Sequence, residues 1–179
     1  MRRMTPKTVV AVIAVAVGTI AVATVAGTAG KQNVKSDQMI GYQEVPGVSS
    51  NASGQFSAEI DDDAQQINFE LTYTGLSGPA AVAHIHFGTR SANGGVAVFF
   101  CGGGGKPICP PGTTDQATVT GTIVPADIIG PAAQGITAGE FAELVQAIRA
   151  GMTYANVHTA AFPGGEIRGQ VNDRNQRQP

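Results

Sequence analysis

Apolar and polar positions alternate cleanly from Gly54 to Ile60, with Phe56, Ala58 and Ile60 on one side and Gln55, Ser57 and Glu59 on the other. A period of two predicts a strand with one buried face. Asp61-Asp62-Asp63-Ala64 interrupts the pattern as a turn. Ile67, Phe69, Leu71 and Tyr73 then resume it against Asn68, Glu70, Thr72 and Thr74, so the two runs predict an antiparallel hairpin. A third strand covers Ala80 to Phe87, with Val82, His84 and His86 on one face and Ala81, Ala83, Ile85 and Phe87 on the other. Val96 to Cys101 is apolar on both faces, as in a central strand, and the threonine- and valine-rich stretch Gln116 to Val124 predicts another. Near the end, Tyr154, Asn156 and His158 alternate with Ala155, Val157 and Thr159, Pro163-Gly164-Gly165 turns the chain, and Ile167 to Val171 returns it.

A single helix is predicted. Thr137-Ala138-Gly139-Glu140 has the form of a capping box, Phe141, Leu144, Val145 and Ile148 follow at helical spacing, and Gly151 supplies a stop. The fold class is therefore all-β: a Greek-key-like antiparallel β-sandwich with one amphipathic α-helix packed at an end or edge. Twenty-four glycines and no tryptophan among 179 residues agree with a turn-rich β domain and leave room for one domain.

The N-terminus adds a compartment. Arg2, Arg3 and Lys7 precede an apolar run of 18 residues, Val9 to Ala26, which marks residues 1–29 as a signal peptide cut near Ala29 or an N-terminal membrane anchor. The domain is expected outside the cytoplasm, whether secreted, periplasmic or membrane-anchored. Residues 30–38 are expected to be a polar linker, 39–172 the β domain and 173–179 a polar tail. Residues 1–29 hold three of the 11 basic residues and none of the 13 acidic ones, leaving 8 against 13, a net −5. That charge excludes a nucleic-acid surface, so the expected partner is an extracytoplasmic protein or a small ligand. Cys101 and Cys109, in a Gly/Pro-rich loop, are expected to form a disulfide in that compartment.

The candidate chemistry lies in the histidines. His84 and His86, at i and i+2 on a strand, project to one side with Cβ atoms about 7 Å apart, within reach of one metal ion. His158 is the third and last histidine of the chain. If the two strands meet, three imidazoles converge on a site suited to a zinc or copper ion. Asn156 or Glu166 would then orient an imidazole beside Tyr154. In the alternative, His84 and His158 bond strand ends, His86 lies on the surface, and the chain is a metal-free structural envelope domain. Arg168 is read as an anion guide or as the partner of Glu166 or Glu44, and Gly164 and Gly165 as turn formers. The aspartate triplet lacks the spacing of a calcium loop, Gly102 to Gly105 that of a phosphate loop, and no Gly-x-Ser-x-Gly occurs.

Gly41-Tyr42-Gln43-Glu44-Val45-Pro46, Ala83-His84-Ile85-His86-Phe87-Gly88, Gly121-Thr122-Ile123, Asn156-Val157-His158-Thr159 and Pro163-Gly164-Gly165-Glu166-Ile167-Arg168-Gly169 together resemble the CHRD domain, over about residues 39 to 172. The resemblance implies an extracytoplasmic β domain acting as a binding or structural module, with no general activity attached. A weaker likeness, in the His-x-His strand ending in Phe-Gly, the disulfide and the late Gly-rich turn, is to Cu,Zn superoxide dismutase. It implies a copper-dependent redox enzyme. That enzyme's copper takes four histidines, and this chain has three.

Overall fold

The computed structural model describes residues 30–173. The export segment expected over residues 1–29 and all but the first residue of the expected tail lie outside them. The described chain forms nine strands: β1 (Gln32–Ser36), β2 (Met39–Ile40), β3 (Ser53–Asp61), β4 (Gln66–Thr74), β5 (Ala80–Phe87), β6 (Gly95–Cys101), β7 (Ala117–Ile123), β8 (Thr153–Thr159) and β9 (Ile167–Asp173). One helix, α1 (Phe141–Arg149), separates β7 from β8. The strands run in the order β6-β5-β8-β9-β1-β3-β4-β7, all the pairings being antiparallel, and β2 bridges β3 and β9.

The sheet folds over on itself, so that the β6-β5-β8-β9 half packs against β1-β3-β4-β7. Phe100 from one half meets Phe56 and Phe69 from the other, with ring centroids 5.1 and 4.7 Å apart. The edge strands β6 and β7 approach each other. Strands β8, β5, β6 and β7 therefore follow the 4-1-2-3 order of a Greek key. The apolar alternation explains the core: Phe56, Ile60, Ile67, Leu71, Ala83, Ile85, Ala155, Val157 and Ile167 all point into it. Helix α1 closes one end, burying Phe141, Leu144, Val145 and Ile148. Its last residue, Arg149, bonds Gln32 and pairs with Asp62 of the aspartate turn.

Two expectations are corrected. Residues 30–38 are not a linker along their length, because Gln32–Ser36 is a central strand between β9 and β3. Only Val34 gives it an apolar signal, and its neighbours supply the rest: Val34 enters the core, and Ser36 Oγ accepts the Phe56 N–H at 3.0 Å. The helix starts at Phe141, three residues later than a cap at Thr137 requires. Glu140 still reaches back to accept the Thr137 N–H at 2.6 Å, so half of the predicted box forms around a turn.

Cys101 and Cys109 form the expected disulfide. The closed loop leads directly into residues that stitch the sandwich together: Tyr73 Oη donates to Pro110 O at 2.7 Å, and the Ala80 N–H donates to Pro111 O at 3.0 Å. It also lies on Phe99, where a Cβ at Gly103 would come within 2.5 Å of the ring. Closing so short a loop is worth about 2–3 kcal/mol by the chain-entropy account. The double substitution Cys101→Ser, Cys109→Ser should lower the urea unfolding free energy by about that amount; an unchanged midpoint would mean that hydrogen bonds alone hold the loop.

Candidate metal centre

Strands β5 and β8 pair with Val82 opposite His158, His84 opposite Asn156 and His86 opposite Tyr154. Ala83, Ile85, Ala155 and Val157 fill the core, so alternation turns the histidines, Asn156 and Tyr154 to the outer face of the sheet. His158 sits diagonal to His84, and diagonal side chains remain within reach for rings. The ring centroids of His84 lie 4.4 Å from His86 and 4.6 Å from His158, and one nitrogen from each of the three rings lies within 4.8 Å of the others.

An outer face would ordinarily be wet, yet His84 and His158 are buried. Two segments cover the face. The stretch after β2 carries Glu44, whose Oε1 accepts from Asn156 Nδ2 at 2.7 Å. The loop between β5 and β6 is held from below by Arg168, which donates to the carbonyls of Thr89, Arg90 and Ala92 and to Asn93 Oδ1 at 2.8–3.1 Å. The same guanidinium packs 3.8 Å above the Tyr154 ring, and Tyr154 stacks on His86 with centroids 4.7 Å apart. Tyr154 Oη accepts the Gly94 N–H.

Backbone carbonyls orient the imidazoles. His86 Nδ1 is 2.8 Å from Gly94 O and His158 Nδ1 is 2.9 Å from Pro163 O. A carbonyl only accepts, so each Nδ1 carries the proton and each Nε2 presents a lone pair. Those Nε2 atoms, with His84 Nδ1, are buried and have no hydrogen-bond partner. Leaving a buried polar atom unpaired costs about 1–3 kcal/mol, and one such atom lies on each of three rings that bring a nitrogen apiece within 4.8 Å of the others. Protonation does not relieve them. Burial, followed by the neighbouring His86 and His158, pushes His84 down to about 3. Burial likewise pushes His86 down to about 4 and lowers His158. Three neutral imidazoles with converging lone pairs, two of them fixed from behind by carbonyls, form a donor set that a zinc or copper ion fits.

The residues expected around the histidines have other partners. Asn156 bonds Glu44 and Ile167 O rather than an imidazole. Glu166 accepts from Ser50 Oγ, from the N–H and Oγ of Ser77 and from Thr159 Oγ1, which holds its carboxyl below the usual range despite burial. Arg168 is 1% exposed and bonded to the covering loop. It offers no open face to guide an anion, and neither Glu44 nor Glu166 is among its hydrogen-bond partners. Gly165 does more than turn the chain: with φ of +122°, it leaves space where a Cβ would come within 2.6 Å of Glu44 Oε1. The carbonyls of Gly94 and Pro163 carry no side-chain signal in the sequence, although both flank motifs that the sequence displays. Glu44 itself stands in the Gly-Tyr-Gln-Glu-Val-Pro motif, and burial, offset by Asn156 and Arg168, raises it to about 7.

These shifts have opposite signs for stability. The histidines titrate lower in the folded chain than the ordinary 6.5, so the stability they contribute is complete above that pH and is lost as the pH falls towards about 4 and then about 3. Glu44 is raised from 4.5 to about 7, so the folded chain holds a proton that the unfolded one lacks, which favours folding as the pH falls through that window. Three histidines outweigh one carboxyl. With chelator present, the denaturation midpoint should fall between pH 6.5 and 4, and more steeply in Glu44→Gln; a flat profile would contradict the buried neutral cluster.

No curated protein and no solved structure matches this chain. The family model of the CHRD domain matches residues 36–171, from the end of β1 into β9, and so includes all three histidines, both covering segments and the disulfide loop. The chain belongs to the CHRD domain family.

Proposed function

We propose that the protein is an exported CHRD-type binding and structural module that holds one zinc or copper ion between His84 Nδ1, His86 Nε2 and His158 Nε2. The observation that carries this reading is the convergence of three buried, unpartnered ring nitrogens. Such a metal ion would satisfy all of them at once and tie β5 to β8. An extracytoplasmic place is supported by the apolar segment of residues 1–29 and by the occurrence of CHRD domains in extracellular or secreted proteins. No described helix is long and apolar enough to cross a membrane. The partner is an extracytoplasmic protein or a small ligand.

Binding is favoured over dismutase-like turnover at copper by the closure of the site. The converging nitrogens have almost no solvent-accessible surface, and the arginine that would steer an anion is bound under its loop. A catalytic metal keeps a coordination position open.

Elemental analysis of the full chain, purified without added metal or a histidine tag and then titrated with zinc and copper, should give near-equimolar uptake. Ligand at a hundredfold excess over its Kd should raise the unfolding free energy by about 2.7 kcal/mol. His158→Ala should lose both uptake and stabilisation while folding in chelator. Uptake and thermal stability that match the wild type would refute the three-histidine site.

A further inference from the structure

We infer that the cation held here is copper(I) rather than a divalent ion, an inference that rests on the metal-binding reading above. Three properties of the cage lead to it. The first is its donor set. Among the described residues the group consists of three imidazoles, with no carboxylate or thiolate, and both cysteines are committed to the disulfide. Glu44 and Glu166, the buried carboxyls on this part of the molecule, are engaged with Asn156 and with Ser50, Ser77 and Thr159.

The second is charge. A bound ion receives no negative ligand, and a buried guanidinium packs on the tyrosine that stacks on His86. The cost of desolvating an ion grows with the square of its charge, so a divalent ion costs roughly four times as much as a monovalent ion of similar size in such an environment. Neutral donors beside a buried guanidinium therefore favour the lower charge.

The third is closure. Zinc held by three protein ligands completes its tetrahedron with water or an anion. Here the converging nitrogens have atomic exposures under 1 Å². Phe99 packs edge-on against His84 with centroids 5.3 Å apart and is itself covered by Gly103 and Gly104 of the disulfide loop. Tyr154 covers His86. Copper(I), with its single charge, is satisfied by three nitrogens alone, without the fourth ligand that the cage excludes.

The test is an anaerobic titration of the full chain, with the disulfide verified intact, by copper(I) against a chromophoric copper(I) chelator, and in parallel by zinc chloride against a zinc indicator. The expected result is equimolar copper(I), tighter than zinc by at least roughly a hundredfold, with no electron paramagnetic resonance signal and only nitrogen neighbours in X-ray absorption. His158→Asn should weaken copper(I) at least roughly tenfold. Tighter zinc, or a persistent copper(II) signal with a water ligand, would overturn the choice of copper(I) while leaving the metal site standing. Full copper(I) affinity in His158→Asn would place the ion elsewhere and overturn the inference. Binding of neither metal would overturn the metal reading itself, and this inference with it.

Discussion

The Arg168 guanidinium donates to the carbonyls of Thr89, Arg90 and Ala92 in the β5–β6 loop and to Asn93 Oδ1, and the outer face of the sheet depends on that fork. A planar, permanently charged group with several donors in fixed directions can gather carbonyls that would otherwise face water. Once gathered, the loop places Gly94 O against His86 Nδ1 and Gly94 N–H against Tyr154 Oη. The histidines are thereby buried on the side of the sheet where alternation would leave them wet. The sandwich thus has a second, polar interior lying over its outer surface.

Most of the side chains in that second interior are paired, and three of the buried atoms left without a partner are ring nitrogens of the histidines. Glu166, buried at the start of β9, has its oxygens taken up by hydroxyls and a backbone N–H from Ser50, Ser77 and Thr159. Glu44 and Asn156 satisfy each other, and Gln170 Nε2 reaches Gly88 O and Gly151 O. Against this pairing the converging ring nitrogens stand out, since a buried polar network with unpaired members is less stable than an apolar core. Thr153 Oγ1 and Gln170 Oε1 are also unpaired, but only the histidines bring three potential metal donors within 4.8 Å of one another, which is the signature of a ligand site.

The alternation of Phe56, Ile67, Leu71 and Ile85 made most of the strands legible, because burial on one face leaves a period of two in the chain. The three histidines were legible for the same reason: their strands could be phased, and the antiparallel partnership of β5 with β8 brought the phased faces together. What the pattern could not show was anything set by neighbours rather than by local composition. β1 is a strand because β3 and β9 flank it, not because KQNVKSD alternates. Arg168 was expected to meet a carboxylate and instead met backbone carbonyls, groups that every residue carries and no sequence distinguishes. The orienting partners of His86 and His158 were hidden in the same way.

The central claim is that three neutral imidazoles turn their lone pairs to one point, and long-range proton–nitrogen NMR correlation on the metal-free chain at neutral pH reads it directly. His86 and His158 should appear as the tautomer protonated at Nδ1 and His84 as the tautomer protonated at Nε2, with no imidazolium among them. A cluster with any ring doubly protonated, or with His86 or His158 carrying its proton on Nε2, would contradict the account.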